Sequence, residues 1–172
     1  MFIAKNNDFI VLARDTREEL EQALTFMVYT SIEETEENYQ LYNGQYLTPI
    51  EALPIVKEGK IKENDMARDA ALIQGVTYKG VLFDSDTDQK INLLSIIDTM
   101  SEEATTVWFG MDNTPLVCTK EDLRNIGNLI KDLHTFCWTK NAEIKAEIGY
   151  ASTIEEVEAI EIDYTMEEEA EE

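Results

Sequence analysis

Apolar residues recur along the chain at two spacings, and each spacing predicts a different kind of element. Helical spacing is most extended between Leu123 and Ile148, where successive apolar residues lie three, four or seven positions apart. This pattern predicts an amphipathic helix of about 28 residues that begins at Thr119, with a reciprocal cap between Thr119 and Asp122. The predicted apolar stripe consists of Leu123, Ile126, Ile130, Leu133, Cys137, Ile144 and Ile148.

Shorter helices are predicted from the same spacing and from capping residues. The first covers residues 16–27 and the second residues 66–73. A third begins within residues 84–86, and a last one begins at Thr153, where Glu156 completes the cap. The predicted buried positions are Leu20, Ala23, Leu24 and Met27 in the first helix, and Ile91, Leu94, Ile97 and Met100 in the third.

Alternating and β-branched stretches predict strands, and turn residues join them into hairpins. A buried strand is expected at residues 9–12, while the acidic residues 33–38 are expected to form a loop. Asn43-Gly44 predicts a hairpin over residues 39–48, because a type I′ turn needs positive φ at both central residues. Two more hairpins are predicted over residues 75–83 and 106–118.

The hairpin at residues 39–48 carries three tyrosines, which make it a candidate recognition surface. Alternation places Tyr42 and Tyr46 on one face and Tyr39 on the other. A two-stranded unit cannot bury both of its faces, so we expect a tyrosine-bearing face to remain exposed. Trp108 and Trp138 are expected to pack in a core.

These elements define an α+β protein with two parts. Residues 1–56 form a small strand–helix–hairpin module, and residues 66–162 form a compact domain of β-hairpins and the long amphipathic helix. Residues 57–65 are charged and contain one glycine, so they are predicted to be a linker. Residues 163–172 are predicted to be an acidic tail.

The charge is strongly negative and unevenly distributed. The chain has 14 basic and 36 acidic residues, a net charge of −22, and its last 22 residues carry −10 of it. Such a surface repels nucleic-acid phosphates but does not prevent the protein from occupying another protein's nucleic-acid groove. The C-terminal stretch is either a solvated tail or a docking element for a basic partner. Its candidate contact residues are Glu155, Glu156, Glu158, Glu161, Asp163, Glu167, Glu168 and Glu169.

Residues that would carry chemistry are scarce, so no enzyme, cofactor or metal site is expected. The two cysteines form no CxxC pair and His134 is the one histidine, which excludes the usual zinc sites. Cys137 is three residues from His134, but its position in the apolar stripe predicts a buried side chain. The acidic run at residues 84–88 lacks the glycine and glutamate of a calcium loop. No apolar run spans a bilayer and no signal peptide is expected.

Several short motifs resemble a known domain. They include Arg68-Asp69, the pattern Gly75-Val76-x-Tyr78-x-Gly80-x-x-Phe83-Asp84-Ser85-Asp86, and the closing residues 153–160. From about Arg68 to Ile162 the chain resembles a domain of unknown function found in tail-associated proteins of bacteriophages and prophages. Residues 33–52 are loosely similar to the beginnings of phage tail-fibre assembly proteins.

The resemblance implies a non-enzymatic tail-associated protein, either a virion tail or fibre component or a fibre assembly factor. Its partner would be a tail or fibre protein, and it would be found in the virion or the host cytoplasm. The candidate contacts are Tyr39, Tyr42 and Tyr46 together with the C-terminal acids. The alternative is an acidic inhibitor of a host defence nuclease, of the anti-CRISPR type, that imitates nucleic acid. Neither direct nucleic-acid binding nor a membrane partner is expected, and the helix stripe is either core or the seam of a homo-oligomer.

Overall fold

The structure, a computed structural model, describes residues 1–166 and confirms the α+β class, with helices and small antiparallel sheets. The first part of the chain contains β1 (Phe2–Asn6), β2 (Phe9–Arg14), α1 (Arg17–Ala23), β3 (Ser31–Glu34), β4 (Gln40–Tyr42), β5 (Gln45–Leu47) and α2 (Pro49–Leu72). The remainder contains β6 (Val76–Tyr78), β7 (Val81–Phe83), α3 (Thr87–Thr99), β8 (Thr105–Phe109), β9 (Pro115–Thr119), α4 (Lys120–Tyr150) and α5 (Ile154–Glu158).

Two compact units divide the chain, and neither is continuous in sequence. The first unit comprises Met1–Ile61 and Glu147–Ile160. The second comprises Lys62–Ala146 and the residues from Glu161 onward. The first change of unit along the chain falls within the predicted 57–65 segment, and both α2 and α4 continue from one unit into the other.

The first unit contains an antiparallel sheet with strand order β2-β1-β3. Its core is formed by Ala4, Leu12, Leu20 and Leu24, and α1 begins at the capping box of Thr16 and Glu19. The sequence analysis did not predict β1, which pairs with the adjacent β2, or β3, which pairs with β1 across more than twenty residues of chain. The helix prediction was too long: α1 ends at Ala23, and both Ala23 and Met27 are exposed.

The predicted linker at residues 57–65 is wrong, because these residues lie inside α2. The helix begins after a capping box in which Thr48 N donates to Glu51 Oε2 (2.9 Å), and it passes Pro54 without ending. Its inward positions include polar residues such as Asn64, which is fully buried. An apolar count therefore does not reveal the helical period here.

The second unit packs its two hairpins, β6–β7 and β8–β9, with α3 and α4 around one core. The apolar stripe predicted for α4 is confirmed, since all seven of its residues are buried. On α3 the predicted face is confirmed at Ile97 and Met100, which pack against the core. It is wrong at Ile91 and Leu94, which are more than half exposed, whereas Leu93 is buried. Both faces satisfy helical spacing, and only packing distinguishes them. The core residues are Val81, Phe83, Leu93, Cys118, Leu123, Ile126 and Ile130.

The predicted hairpin turns are confirmed by their backbone angles. Asn43 and Gly44 have φ of 48° and 82°, and Lys79 and Gly80 have φ of 50° and 78°. Positive φ at both central positions matches the right-handed twist of the flanking strands. Gly110, which follows β8, is required for its small size, because a Cβ there would lie 2.6 Å from Val81 Cγ1.

Candidate interaction site

The three candidate tyrosines do not form one exposed face. The register pairs Tyr42 with Gln45 and Leu41 with Tyr46, so Tyr42 and Tyr46 lie on opposite faces of the ribbon. The predicted shared face was wrong because the two-residue turn sets this register. Tyr46 packs against the core of the first unit, and its hydroxyl accepts a 3.4 Å hydrogen bond from Arg14.

Tyr39 and Tyr42 are half-buried and make only local hydrogen bonds. The Tyr42 hydroxyl donates to Gln40 Oε1 (3.0 Å), and the Tyr39 hydroxyl donates to Glu37. The hydrogen bond to Glu37 is the main cause that raises the pKa of Tyr39 to about 12. The raised pKa keeps the Tyr39 phenol a neutral hydrogen-bond donor at neutral pH.

The described C-terminal acids are exposed and belong to both units. None of them forms an ion pair within the described residues 1–166. Glu156 accepts a hydrogen bond from Ser152 N as part of the α5 cap, and Asp163 accepts one from Thr165 N (2.8 Å). The acids in question are Glu155, Glu156, Glu158, Glu161 and Asp163, whereas Glu167, Glu168 and Glu169 lie outside the described residues.

A buried polar network holds the segment after α5 in place. Asn64 Nδ2 donates to Asn141 O (3.2 Å), and Asn64 Oδ1 accepts from the Tyr164 hydroxyl (2.7 Å). Tyr164 is 9% exposed, and burial raises the pKa of its phenol. The tail predicted over residues 163–172 is wrong for residues 163–166, because Tyr164 anchors this segment within the second unit, and its remaining residues lie outside the described ones.

Charged groups complete this network. Asp65 Oδ1 accepts from Lys145 Nζ (2.7 Å), Asn141 Nδ2 (3.0 Å) and Arg68 Nη1 (2.9 Å). The Lys145 hydrogen bond is the main cause that holds the pKa of Asp65 below its usual range. Arg68 also stacks on Trp138, with its guanidinium 4.4 Å from the ring centroid. Trp138 is 54% exposed, which corrects its predicted core position, whereas Trp108 packs against the core as expected.

An open groove of about 1030 Å³ lies beside the anchored segment, within the second unit. Alanines on the last turns of α2 line one part, the segment from Ile162 to Met166 lines another, and two leucines of α4 also contribute. Among the described residues, the carboxylates that line it belong to Asp132 and Asp163, and no lysine or arginine lines it. The groove is lined by Ala67, Ala70, Ala71, Gln74, Gly75, Val76, Thr77, Leu129, Asp132, Leu133, Ile162, Asp163, Tyr164, Thr165 and Met166.

The hairpin β8–β9 presents an exposed apolar face, which we call the uncharged ribbon face. The register pairs Val107 with Val117 and Phe109 with Pro115, so these four side chains share one face. Val107 is 47% exposed, Phe109 57% and Val117 65%. Neither strand contains an acidic or basic residue, although the chain carries a net charge of −22.

Opposite side chains of the same hairpin hold it on the core. Cys118 is fully buried, and Trp108 and Leu116 pack against the core cluster. One face of the hairpin is thus packed on the core, while its other face is exposed to solvent. Exposed apolar surface on a rigid element is typical of a protein-binding site.

Asp122 ties the end of β9 to the neighbouring hairpin. Its carboxylate accepts from Lys79 Nζ (2.6 Å), Thr119 N (2.9 Å) and the Tyr78 hydroxyl (2.9 Å). These hydrogen bonds hold the pKa of Asp122 well below its ordinary value. The one from Lys79 has the largest effect, followed by those from Thr119 and Tyr78. Asp122 N donates in return to Thr119 Oγ1 (3.2 Å), which confirms the predicted reciprocal cap of α4.

A second exposed apolar stretch follows α1 in the first unit. Phe26 is 98% exposed and Val28 78%, and Phe9, the first residue of β2 after the β1–β2 turn, is 77% exposed. Thr30 holds this stretch beside that turn, since Asn7 N donates to Thr30 Oγ1 (3.1 Å). The sequence analysis missed this surface because it extended the first helix to residue 27, whereas α1 ends at Ala23.

The Cys137 thiol and the His134 imidazole, which lie one helical turn apart in the sequence, both make structural contacts. Cys137 is fully buried, as predicted, and burial raises the pKa of its thiol. His134 Nε2 lies 2.9 Å from Ser85 O. Within residues 1–166 no group of three His, Cys, Asp or Glu side chains is arranged to hold a metal ion, and no helix is long and apolar enough to cross a bilayer.

The uncharged ribbon face and the groove were missed by sequence reasoning. The sequence does contain a signal for the ribbon face, because the two five-residue strands include no acid or base although the chain is highly charged. No local signal exists for the groove, because its lining comes from α2, α4 and the C-terminal segment, which are distant in sequence.

The chain belongs to the DUF4376 family, a domain of unknown function, whose family model matches residues 55–165. This confirms the resemblance of residues 68–162 to a domain of unknown function and extends it at both ends. No curated protein and no solved structure matches the chain.

Proposed function

We propose that the chain is a non-enzymatic bacteriophage tail-associated protein that works by binding another protein through the uncharged ribbon face. The assignment to phage tails is supported by the resemblance of the Arg68–Ile162 motifs to tail-associated proteins. The mode of action is carried by one observation: the apolar side chains of Val107, Phe109 and Val117 are exposed on a hairpin whose other face is fixed in the core.

Burial of this face would contribute binding energy without opposing charges. Apolar surface contributes roughly 25 cal/mol per Å² when it is removed from water. On most of this chain a partner would also have to desolvate carboxylates, which costs free energy unless they are paired. The two strands that form the ribbon face contribute no acid or base that a partner would have to desolvate.

The test replaces Val117 by lysine in the phage or prophage that encodes the chain. Val117→Lys places a charge at the centre of the ribbon face, at a position exposed enough to leave the fold intact. Ile73→Lys is the matched control, because Ile73 is 61% exposed and lies outside the ribbon face. We expect Val117→Lys to lower the yield of infectious particles at least about tenfold, with the control near wild type.

The readout combines particle titre, electron microscopy of tails and immunodetection of the chain in purified particles. A structural component is found in particles, whereas an assembly factor is needed for fibres but absent from them. The proposal fails if deletion of the gene leaves tails and titre unchanged. The role of the ribbon face fails if both lysine variants behave as wild type.

A second candidate is the acidic inhibitor of a host defence nuclease. It is favoured by the exposed carboxylates of Glu155, Glu158, Glu161 and Asp163, which have no ion-pair partner within the described residues. Spaced carboxylates imitate phosphates and are attracted to a basic groove in a salt-sensitive manner.

The inhibitor hypothesis is tested with a chain that ends at Met166. Cutting earlier would remove Tyr164, whose hydroxyl bonds the buried Asn64, and would disturb the fold. DNA cleavage by a purified RNA-guided nuclease is measured with the whole chain and the shortened chain at low and high salt. Inhibition that weakens with truncation and with salt supports this candidate, and unaffected cleavage excludes it for that nuclease.

A further inference from the structure

The groove in the second unit has two chemical parts. Its apolar part consists of Ala67, Ala70 and Ala71 of α2 and of two leucines of α4. Leu129, one of these leucines, is 37% exposed, so the apolar part is open to solvent. Small side chains on a rigid helix leave room for an incoming side chain, and the volume of about 1030 Å³ reaches the upper range of small-ligand sites.

The polar part of the groove is negative. Asp132 on α4 and Asp163 on the anchored segment are both exposed, and the part of the chain that the structure describes contributes no basic residue to the groove lining. Thr165 N donates to Asp163 Oδ1 (2.8 Å), which fixes the direction of that carboxylate. The net charge of −22 attracts cationic groups to the chain within about a Debye length of its surface. The two carboxylates of the groove would concentrate such groups there.

We propose that this groove binds an extended peptide segment of a partner protein in which lysine or arginine alternates with aliphatic residues. The aliphatic side chains and the alkyl stems of the basic residues would cover Ala70 and Leu129, and the cations would reach Asp132 and Asp163. Lysine and arginine fit because each joins an apolar stem to a charged end. This inference rests on the proposed function as a protein-binding molecule and names the chemistry of its partner.

Other occupants fit the groove less well. The residues that follow Met166 in the sequence are five glutamates and one alanine, which would bring like charge to Asp132 and Asp163. A second copy of the chain would bring its own excess of negative charge. Nucleic acid is repelled for the same reason.

The test measures binding of a fluorescent peptide, acetyl-GLKVKLG-amide, to the full chain by fluorescence anisotropy. The comparison peptide has both lysines acetylated, which keeps the stems but removes the charges. We expect the acetylated peptide to bind about tenfold more weakly. We also expect added salt to weaken the lysine peptide more than the acetylated one.

Variants of the chain locate the binding. Ala70→Trp fills the groove from an exposed helix position and should reduce affinity at least about tenfold. Ala142→Trp adds the same bulk to an exposed alanine of α4 that does not line the groove, and should bind normally. Asp132→Asn should weaken binding about two- to fivefold, whereas Glu143→Gln, on the same helix outside the groove, should not.

Each result supports or overturns the proposal. Loss of binding in Ala70→Trp but not in Ala142→Trp, together with discrimination against the acetylated peptide, supports it. No binding of the lysine peptide, equal binding of both peptides, or equal binding by both tryptophan variants overturns it. Val117→Lys separates the two proposals, because it should impair tail assembly while the purified variant still binds the peptide.

Discussion

Single polar residues hold several of the contacts on which the candidate sites depend. Asn64 and Tyr164 anchor the wall of the groove, and Asp122 fixes the hairpin that neighbours the uncharged ribbon face. Within residues 1–166 no buried side-chain nitrogen or oxygen lacks a hydrogen-bond partner. Because an unpaired buried polar group costs about 1–3 kcal/mol, removal of one partner should be felt at these positions.

Asp122 gives a pH-dependent prediction at this scale. Asp122→Asn removes a carboxylate whose side chain is 12% exposed, and should lower the free energy of unfolding by about 2 kcal/mol at pH 7. The pKa of Asp122 is lower in the folded chain than in the unfolded chain, where it is about 3.9. Its contribution is therefore complete above about pH 4 and is lost as the pH falls towards the folded pKa.

The measurement is urea denaturation of wild type and variant at about pH 7, 4 and 3. The difference in stability should be largest at the first two values and smaller at pH 3. Asp98→Asn is the control, because Asp98 is an exposed acid on α3. A difference that is absent at pH 7, or that grows on acidification, would contradict the role given to the Lys79 contact.

Among the elements, α2 shows what a sequence pattern can and cannot predict. The α4 helix and the Asn43-Gly44 turn were predicted because their signals are local: an apolar stripe and two residues with positive φ. The α2 helix was predicted only towards its end, over residues 66–73, because its earlier buried positions include Asn64 and its surface is charged. The uncharged ribbon face was missed because β8 and β9 carry apolar side chains on both faces, so that alternation does not identify the solvent side.

Gly59, in the middle of α2, allows a direct test of helix against linker. A Cβ at Gly59 would meet no atom within 4 Å, so Gly59→Ala should stabilise the protein by about 0.5–1 kcal/mol. Gly44→Ala is the matched control, since it is equally free of contacts but has φ of +82° and should destabilise by about 1 kcal/mol. Thermal denaturation measures both. No gain from Gly59→Ala would favour a flexible segment at residues 57–65.

At the scale of the whole molecule, the net charge of −22 opposes folding by self-repulsion. Raising sodium chloride from about 0.02 to 0.5 M should therefore raise the melting temperature, because screening shortens the range of repulsion. Surface ion pairs such as Lys5 with Glu33 (2.7 Å) are weakened by salt, but each contributes at most about 1 kcal/mol.

A charge-reduced variant provides the control for this effect. Glu158→Gln with Glu161→Gln removes two exposed carboxylates outside any ion pair of the described residues. This variant should melt at a higher temperature in low salt and gain less from added salt than wild type. A melting temperature that falls with salt would show that attractive pairs outweigh the repulsion.

Because the first unit is discontinuous, its limits differ from those of the family match. The family match begins at residue 55, inside α2, yet it already includes Glu147–Ile160, which belong to the first unit. A gene segment encoding only the matched range would thus supply one side of that unit. Residues 1–54 lie outside the match, so a fragment limited to the matched range would lack the strands β1 to β5, all of which belong to that unit.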